Sequence, residues 1–216
     1  MEEQNKELNK AFLVGDYIYL RPPERSDVEG RWYQWFNDPE VTRYLNKRGY
    51  FPNTVEEQMR FYESIGHNQN EIILSMIEKK GNRHIGVISL RPIDWIHRTS
   101  DIAMVIGEKD YWSGYPAVEA MALLIDHGFS KLNLHKICGT NHEGLDFWRK
   151  YLGLLGFEEE GLLREQFCAD GKYSDIHVVG VLAQKFFDLR AERGGNILGP
   201  SLEALVKKFI LSPPIK

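Results

Sequence analysis

Hydrophobic and polar positions along this 216-residue chain change period several times, and each change marks an element. Residues 17–20 (YIYL) alternate like a strand and stop at Arg21-Pro22-Pro23, because proline has no N–H to give a ladder. Ser26-Asp27 supplies side-chain acceptors for the orphan N–H groups of a first turn, and predicts a helix carrying Trp32, Trp35 and Phe36. Asn37-Asp38-Pro39 ends it, and a short helix through Val41 and Tyr44 follows. Thr54 with Glu57 forms a capping box that opens a helix through Met59 and Phe61. The period then becomes extended: residues 71–78, 84–90 and 100–107 read as consecutive strands, with turns at Lys80-Gly81-Asn82 and His97-Arg98-Thr99. Short connections make them an antiparallel meander. Val118, Met121, Ala122, Ile125 and Phe129 form the apolar stripe of a long helix. Residues 136–139 read as a strand. Asn141 then reads as opening a helix with Leu145, Trp148, Leu152 and Leu155 on one side, and Gly156-Phe157 ends it. Two strands close the pattern, at residues 157–163 and 174–182, around a turn at Asp170-Gly171. This order predicts an α/β fold: a mixed central sheet, antiparallel and then parallel, flanked by helices.

Residues 1–16 read as a flexible lead-in, 17–189 as one domain and 190–216 as a C-terminal tail. A helix starting at Ala183 is broken at Gly194-Gly195-Asn196, and residues 201–211 form a short amphipathic segment. We expect that segment to fold back on the domain, with a homodimer contact as the alternative. A composition of 43% hydrophobic and 27% charged residues is that of a globular protein. A net charge of -4 argues against a nucleic-acid partner. No apolar run approaches the ~20 residues of a membrane span, and the polar N-terminus lacks a signal peptide's apolar core. A cytoplasmic protein without membrane partners is the expectation. Cys138 and Cys168 form no CxxC pair, and His135 and His142 lack metal-ligand spacing, so no metal is expected.

Neither a Gly-x-Ser-x-Gly elbow nor a GxxxxGK[ST] loop is present. The junction from Gly107 to Ala117 is more informative. It carries a strand into a helix through Ser113-Gly114, and free N–H groups at a helix start bind phosphate. A plain connecting loop would look the same.

The segments IGEKDYW, EAMALLIDHGFSKLNLHKI, Asn141, GFEEEGLLRE and DGKYSD stand in one order between Ser100 and Asp175. Together they resemble the GNAT superfamily of acetyl-CoA-dependent N-acetyltransferases. The similarity is to the branch holding ribosomal-protein, spermidine and nucleotide-amino-sugar acetyltransferases. IYLRPPERSDVEG and WFNDPEVTRYL resemble that branch's opening strand and first helices, so the similarity spans about residues 17–189. It implies a sheet that splits into a V, with acetyl-CoA as cosubstrate in the notch. Met104, Val105 and Ile106 would pair with the pantetheine arm. Trp112, Ser113, Gly114, Tyr115, Pro116 and Ala117 would hold the pyrophosphate. Asn141 and Trp148 would line the cofactor side. The family's loop places a glycine where this chain has Tyr115, with Gly114 one residue early. Either the turn shifts so that Gly114 serves, or cofactor binding weakens. The family's tyrosine, which protonates the leaving thiolate, is replaced by Trp148, and Tyr151 is the nearest phenol.

The resemblance implies transfer of acetyl to a primary amine. Its base would be Asp101 or Glu108 and its acid Tyr151. The amine would belong to a small molecule or a protein N-terminus. Aromatic residues between Arg31 and Tyr62, with Arg43, Lys47 and Arg48, favour a nucleotide-linked amino sugar over a polyamine. The other reading is a non-catalytic GNAT-like module that binds an acyl-CoA or a protein.

Overall fold

The computed structural model describes residues 9–45, 47–67, 69–112, 114–198 and 200–211. Eight strands form one sheet in the order β1-β2-β3-β4-β5-β6-β8-β7. They are β1 (Leu13–Val14), β2 (Ile18–Arg21), β3 (Ile72–Glu78), β4 (Arg83–Asp94), β5 (Thr99–Ile106), β6 (Lys136–His142), β7 (Glu158–Ala169) and β8 (Lys172–Leu182). All neighbours are antiparallel except β5 and β6. The sheet therefore turns parallel for one pair only, where a crossover helix forces it.

Three consecutive segments, Arg25–Asp27, Val28–Trp32 in π form and Tyr33–Trp35, make up α1. Then come α2 (Pro39–Thr42), α3 (Val55–Ser64), α4 (Tyr115–Ser130), α5 (Asp146–Leu154), α6 (Ala183–Glu192) and α7 (Pro200–Leu211). The cap of α1 is Glu24 rather than Ser26 or Asp27. Asp27 acts from the third helical position, taking the Glu24 N–H at 2.9 Å. The Thr54–Glu57 box forms as predicted, with Thr54 Oγ1 accepting from the Glu57 N–H at 3.2 Å. Asn141 does not open a helix. It lies in β6 opposite His177, and α5 starts only at Asp146. Gly144, at φ 90°, makes the intervening turn.

The helices cover two faces. On one, α4 and α5 bury Val118, Leu124, Ile125, Tyr151 and Leu155 against Ile88, Leu90 and Ile137. On the other, Trp32, Trp35 and Phe36 of the N-terminal segment pack with Val87 and Val105. Two buried carboxylates fasten the layers. Glu119 of α4 is fully buried and accepts from the Asp16, Tyr17 and Ile18 N–H groups, the last at 2.9 Å. Asp27 takes both arms of Arg21 at 2.7 Å and the Ser75 hydroxyl at 2.8 Å.

The N-terminal end reaches further into the fold than the sequence pattern suggests, and the C-terminal segment packs as expected. Leu13 and Val14 pair with Leu20 and Tyr19, so the sheet begins inside the expected lead-in. Ile197, Leu202 and Val206 are buried in the main core, so the tail does fold back. No helix among the described residues is long and apolar enough to cross a membrane.

Candidate active site

β5 and β6 share a ladder only at their first residues, with Thr99, Ser100 and Asp101 opposite Lys136, Ile137 and Cys138. Beyond that point β5 stays paired with β4 out to Ile106, and β6 with β8 out to His142. The two parallel strands part from each other, and a gap opens between them. The Gly107 N–H donates to the Ile85 carbonyl at 2.9 Å, on the β4 side. Alternation then aims the backbone of Val105 at β4 and that of Ile102, Met104 and Ile106 at the gap. The indole N–H of Trp112 takes the Ile106 carbonyl at 2.8 Å. The Met104 and Ile106 amides thus line an open strand edge, on either side of Val105.

At the mouth of the gap Gly114 caps α4 with φ 138° and ψ 179°. Only the φ forbids a side chain here, since an added Cβ would meet just Pro116 Cδ at 3.7 Å. Tyr115 is the first helical residue and Pro116 follows it, where its missing N–H costs nothing. The Tyr115 ring is buried, and its hydroxyl donates to the Leu198 carbonyl at 2.8 Å. Tyr115 therefore turns inward, and Gly114 carries the unusual backbone conformation. Ala117 is buried one turn in. Ser113 lies outside the described residues.

The remaining sequence candidates fall on two faces. Ile102 and Met104 belong to the α4 face, and Val105, with Asp101 and Ala103 in phase, to the face of the N-terminal helices. Asp101 is exposed at the vertex of the gap, beside Cys138. Asn141 is 1% exposed, and its amide donates to the Leu145 carbonyl at 3.2 Å, tying the end of β6 to the start of α5. On α5, Trp148 and Tyr151 meet edge to face at 5.7 Å. Tyr151 is 4% exposed, and burial pushes its phenol above the usual range, so it keeps its proton.

Glu108 is not free to act as a base. It is buried against Arg31 at 3.1 Å, Arg83 and the Trp35 indole N–H at 3.0 Å. These partners surround a cavity of about 340 Å³ between α1 and the end of β5. A carboxylate already holding two guanidinium groups has no strong pull on another proton. Of the aromatic residues between Arg31 and Tyr62, Trp32, Trp35 and Phe36 are core, whereas Tyr50 and Phe51 are exposed. Arg43 is exposed, and the Lys47 and Arg48 side chains lie outside those described. Among the described residues no group of His, Cys, Asp and Glu could hold a metal ion. The sequence weighed the β6 residue His142 only as a metal ligand beside His135. It shares the sheet face away from α4 with Cys138 and Thr140, and only its alternation along β6 could have flagged it.

A strand pair that splits beside a glycine-capped helix is the arrangement that the sequence resemblance implied. The sequence profile of the acetyltransferase (GNAT) domain matches residues 18–157. The chain belongs to the GNAT acetyltransferases. It is 27% identical over 175 residues to the uncharacterized N-acetyltransferase p20 of Bacillus licheniformis, covering 81% of this chain and 97% of that one. It is 27% identical over 190 residues to spermidine N(1)-acetyltransferase of Escherichia coli (strain K12), covering 86% and 97%. The fold is similar to that of the spermidine N-acetyltransferase from Vibrio cholerae solved with CoA and spermine. There the TM-score is 0.72 at 24% identity, covering 80% of this chain and 99% of that one. This GNAT protein is thus an acetyl-CoA-dependent acyltransferase.

Proposed function

We propose that this GNAT protein transfers acetyl from acetyl-CoA to the primary amine of a small molecule. The observation that carries this reading is the open β5 edge facing β6, with a glycine-capped helix start at its mouth. The pantetheine amides would extend the β5 ladder through Met104 and Ile106. A gap-facing N–H of β5 that the arm leaves free would bond the thioester oxygen as charge develops on it. The pyrophosphate would lie on the backbone of residues 112–117, where the dipole of the long helix α4 favours negative charge. Asn141 and Trp148 would border the arm from the β6 and α5 side.

The amine would approach from the face of the N-terminal helices. Asp101 is exposed there, and the ion pair of Lys136 with Glu160, at 2.7 Å, lies beside it around Cys138. An ammonium group suits the open Asp101 carboxylate, which supports a polyamine acceptor alongside the amino sugar that exposed Tyr50 and Phe51 would suit. Tyr151 would return a proton to the departing thiolate, a step its protonated phenol can perform.

Release of CoA thiol from acetyl-CoA, measured with spermidine, spermine, a nucleotide-linked amino sugar and a peptide N-terminus, tests the reading. Turnover with one of these amines is expected. Acetyl-CoA binding without turnover on any of them would overturn it in favour of a binding module. With an active amine, Tyr151→Phe should lower kcat at least tenfold with the fold intact, toward the ~100-fold or more that a general acid supplies. An unchanged kcat would mean the thiolate leaves without that hydroxyl.

A further inference from the structure

The acceptor-side face of β6 ends on a histidine. Cys138, Thr140 and His142 alternate along it, which puts His142 on the sheet face away from α4, on the strand that borders the gap. Its ring is 9% exposed. Phe167 of β7 closes on it at 4.3 Å between centroids, and Tyr44, just past α2, at 5.7 Å. The ring nitrogen Nδ1 is buried and has no hydrogen-bond partner among the described residues. Leaving a buried polar atom unpaired is costly, and a phenylalanine here would avoid that cost. A cost of that kind, kept on a strand that borders the gap, points to a group held for a ligand.

We propose that the imidazole of His142 binds the acceptor nitrogen and takes one of its protons as that nitrogen attacks acetyl-CoA. The proposal rests on the acyl-transfer reading above and names its base. The acceptor ammonium gives one proton to the imidazole. The freed lone pair forms the N–C bond, and the C–S bond breaks as the tetrahedral intermediate collapses. The second proton lost from nitrogen ends on the departing sulfur, so the products are the amide and CoA thiol. The imidazolium then returns its proton to solvent. Asp101, open to water, attracts the ammonium by charge without taking the proton.

The ring must be neutral to serve, and burial holds its pKa below the ordinary histidine value. The charged groups near it among the described residues do not add to that shift. Arg43 lies over the Tyr44 ring at 5.5 Å. Glu143 follows His142 in the chain, and Asp175 of β8 is bonded to Glu143 through backbone and side chain.

His142→Gln and His142→Phe test the proposal on the full chain, the second preserving ring packing should the first fail to fold. Acetyl-CoA affinity by calorimetry should stay within about twofold of wild type, because neither variant touches the β5 edge. With an active amine, kcat should fall at least tenfold, toward the ~100-fold or more of a general base, and the acid limb of the pH–rate profile should vanish. A folded variant with wild-type kcat and an unchanged acid limb overturns the proposal. If wild type acetylates none of the amines, the acyl-transfer reading fails. The histidine is then judged alone, by NMR of 13C-histidine-labelled protein saturated with CoA and titrated with spermidine and spermine. A shift confined to the signal that His142→Gln removes supports the contact, and an unmoved signal overturns it.

Discussion

His84 packs between the rings of Trp35, at 4.8 Å, and Trp32, at 6.0 Å, with its Nε2 on the Gly86 carbonyl at 2.9 Å. Burial lowers its pKa to about 4, although Asp27 lies 3.4 Å from Nδ1. Asp27 is already held by both arms of Arg21, whose charge also opposes a second cation. The folded protein therefore keeps His84 neutral, while the unfolded chain protonates it near 6.5. Stability should fall as pH drops from 6.5 toward 4, by up to about 3 kcal/mol from this group. Urea unfolding across that window checks it. His84→Gln retains a donor for Gly86 and should flatten the response, and an equally steep loss in the variant would assign it to other groups. Gly114 shows residue-scale reasoning in the other direction. Its early place relative to the family's loop left two outcomes open, and φ 138° with Tyr115 turned inward puts the unusual backbone conformation at Gly114, as the first of them requires.

Among the elements, β5 is the strand on which the proposed function rests. Its Val105 side is spent on β4, and its Met104 and Ile106 amides look into the gap. Proline at position 104 removes one gap-facing N–H and no bond to β4, so Met104→Pro separates cofactor binding from sheet stability. Acetyl-CoA affinity should weaken roughly tenfold, about the ~1.4 kcal/mol of one hydrogen bond, with the melting temperature nearly kept. Val105→Pro, which strips a ladder bond, should lower the melting temperature instead. Calorimetry and thermal melts on the pair decide, and undiminished affinity in Met104→Pro would mean the arm does not pair with β5. The element-scale misreading lies at Asn141, which has the composition of a helix cap but sits inside β6. Its side chain still reaches the start of α5, through the Leu145 carbonyl.

For the whole molecule, the relatives account for about four fifths of the chain, and this protein is longer than they are. α7 closes the core beside α4 and α5. Leu202 and Val206 are fully buried, Tyr17 donates to Glu203 at 2.9 Å, and Tyr115 donates to the carbonyl of Leu198. These contacts reach the first turn of α4, so the C-terminal segment braces the helix start at the mouth of the gap. Leu202→Ala should cost about 2–5 kcal/mol and lower the melting temperature by roughly 5–15 °C. It should also weaken acetyl-CoA binding, measured by calorimetry, if the brace holds the loop. An unchanged melting temperature would show the segment to be an appendage.

The sequence by itself determined the elements whose signals are local. The Thr54–Glu57 box, the stripe from Val118 to Phe129 and the strand meander each depend on neighbours within a few residues, and each is present in the structure. The fold family was legible too, because ordered segments between Ser100 and Asp175 carried it before any coordinate did. The tertiary structure alone decided which groups are available for chemistry. Glu108 read as a free carboxylate until Arg31, Arg83 and Trp35 closed on it from distant parts of the chain. Which aromatic residues between Arg31 and Tyr62 are core was open until Val87 and Val105 were seen to bury Trp32 and Trp35. His142 carried no local signal, and its environment comes from Tyr44 and Phe167, far from it in sequence. Burial and partnership are properties of segments brought together by folding, so a periodicity over a dozen residues does not encode them.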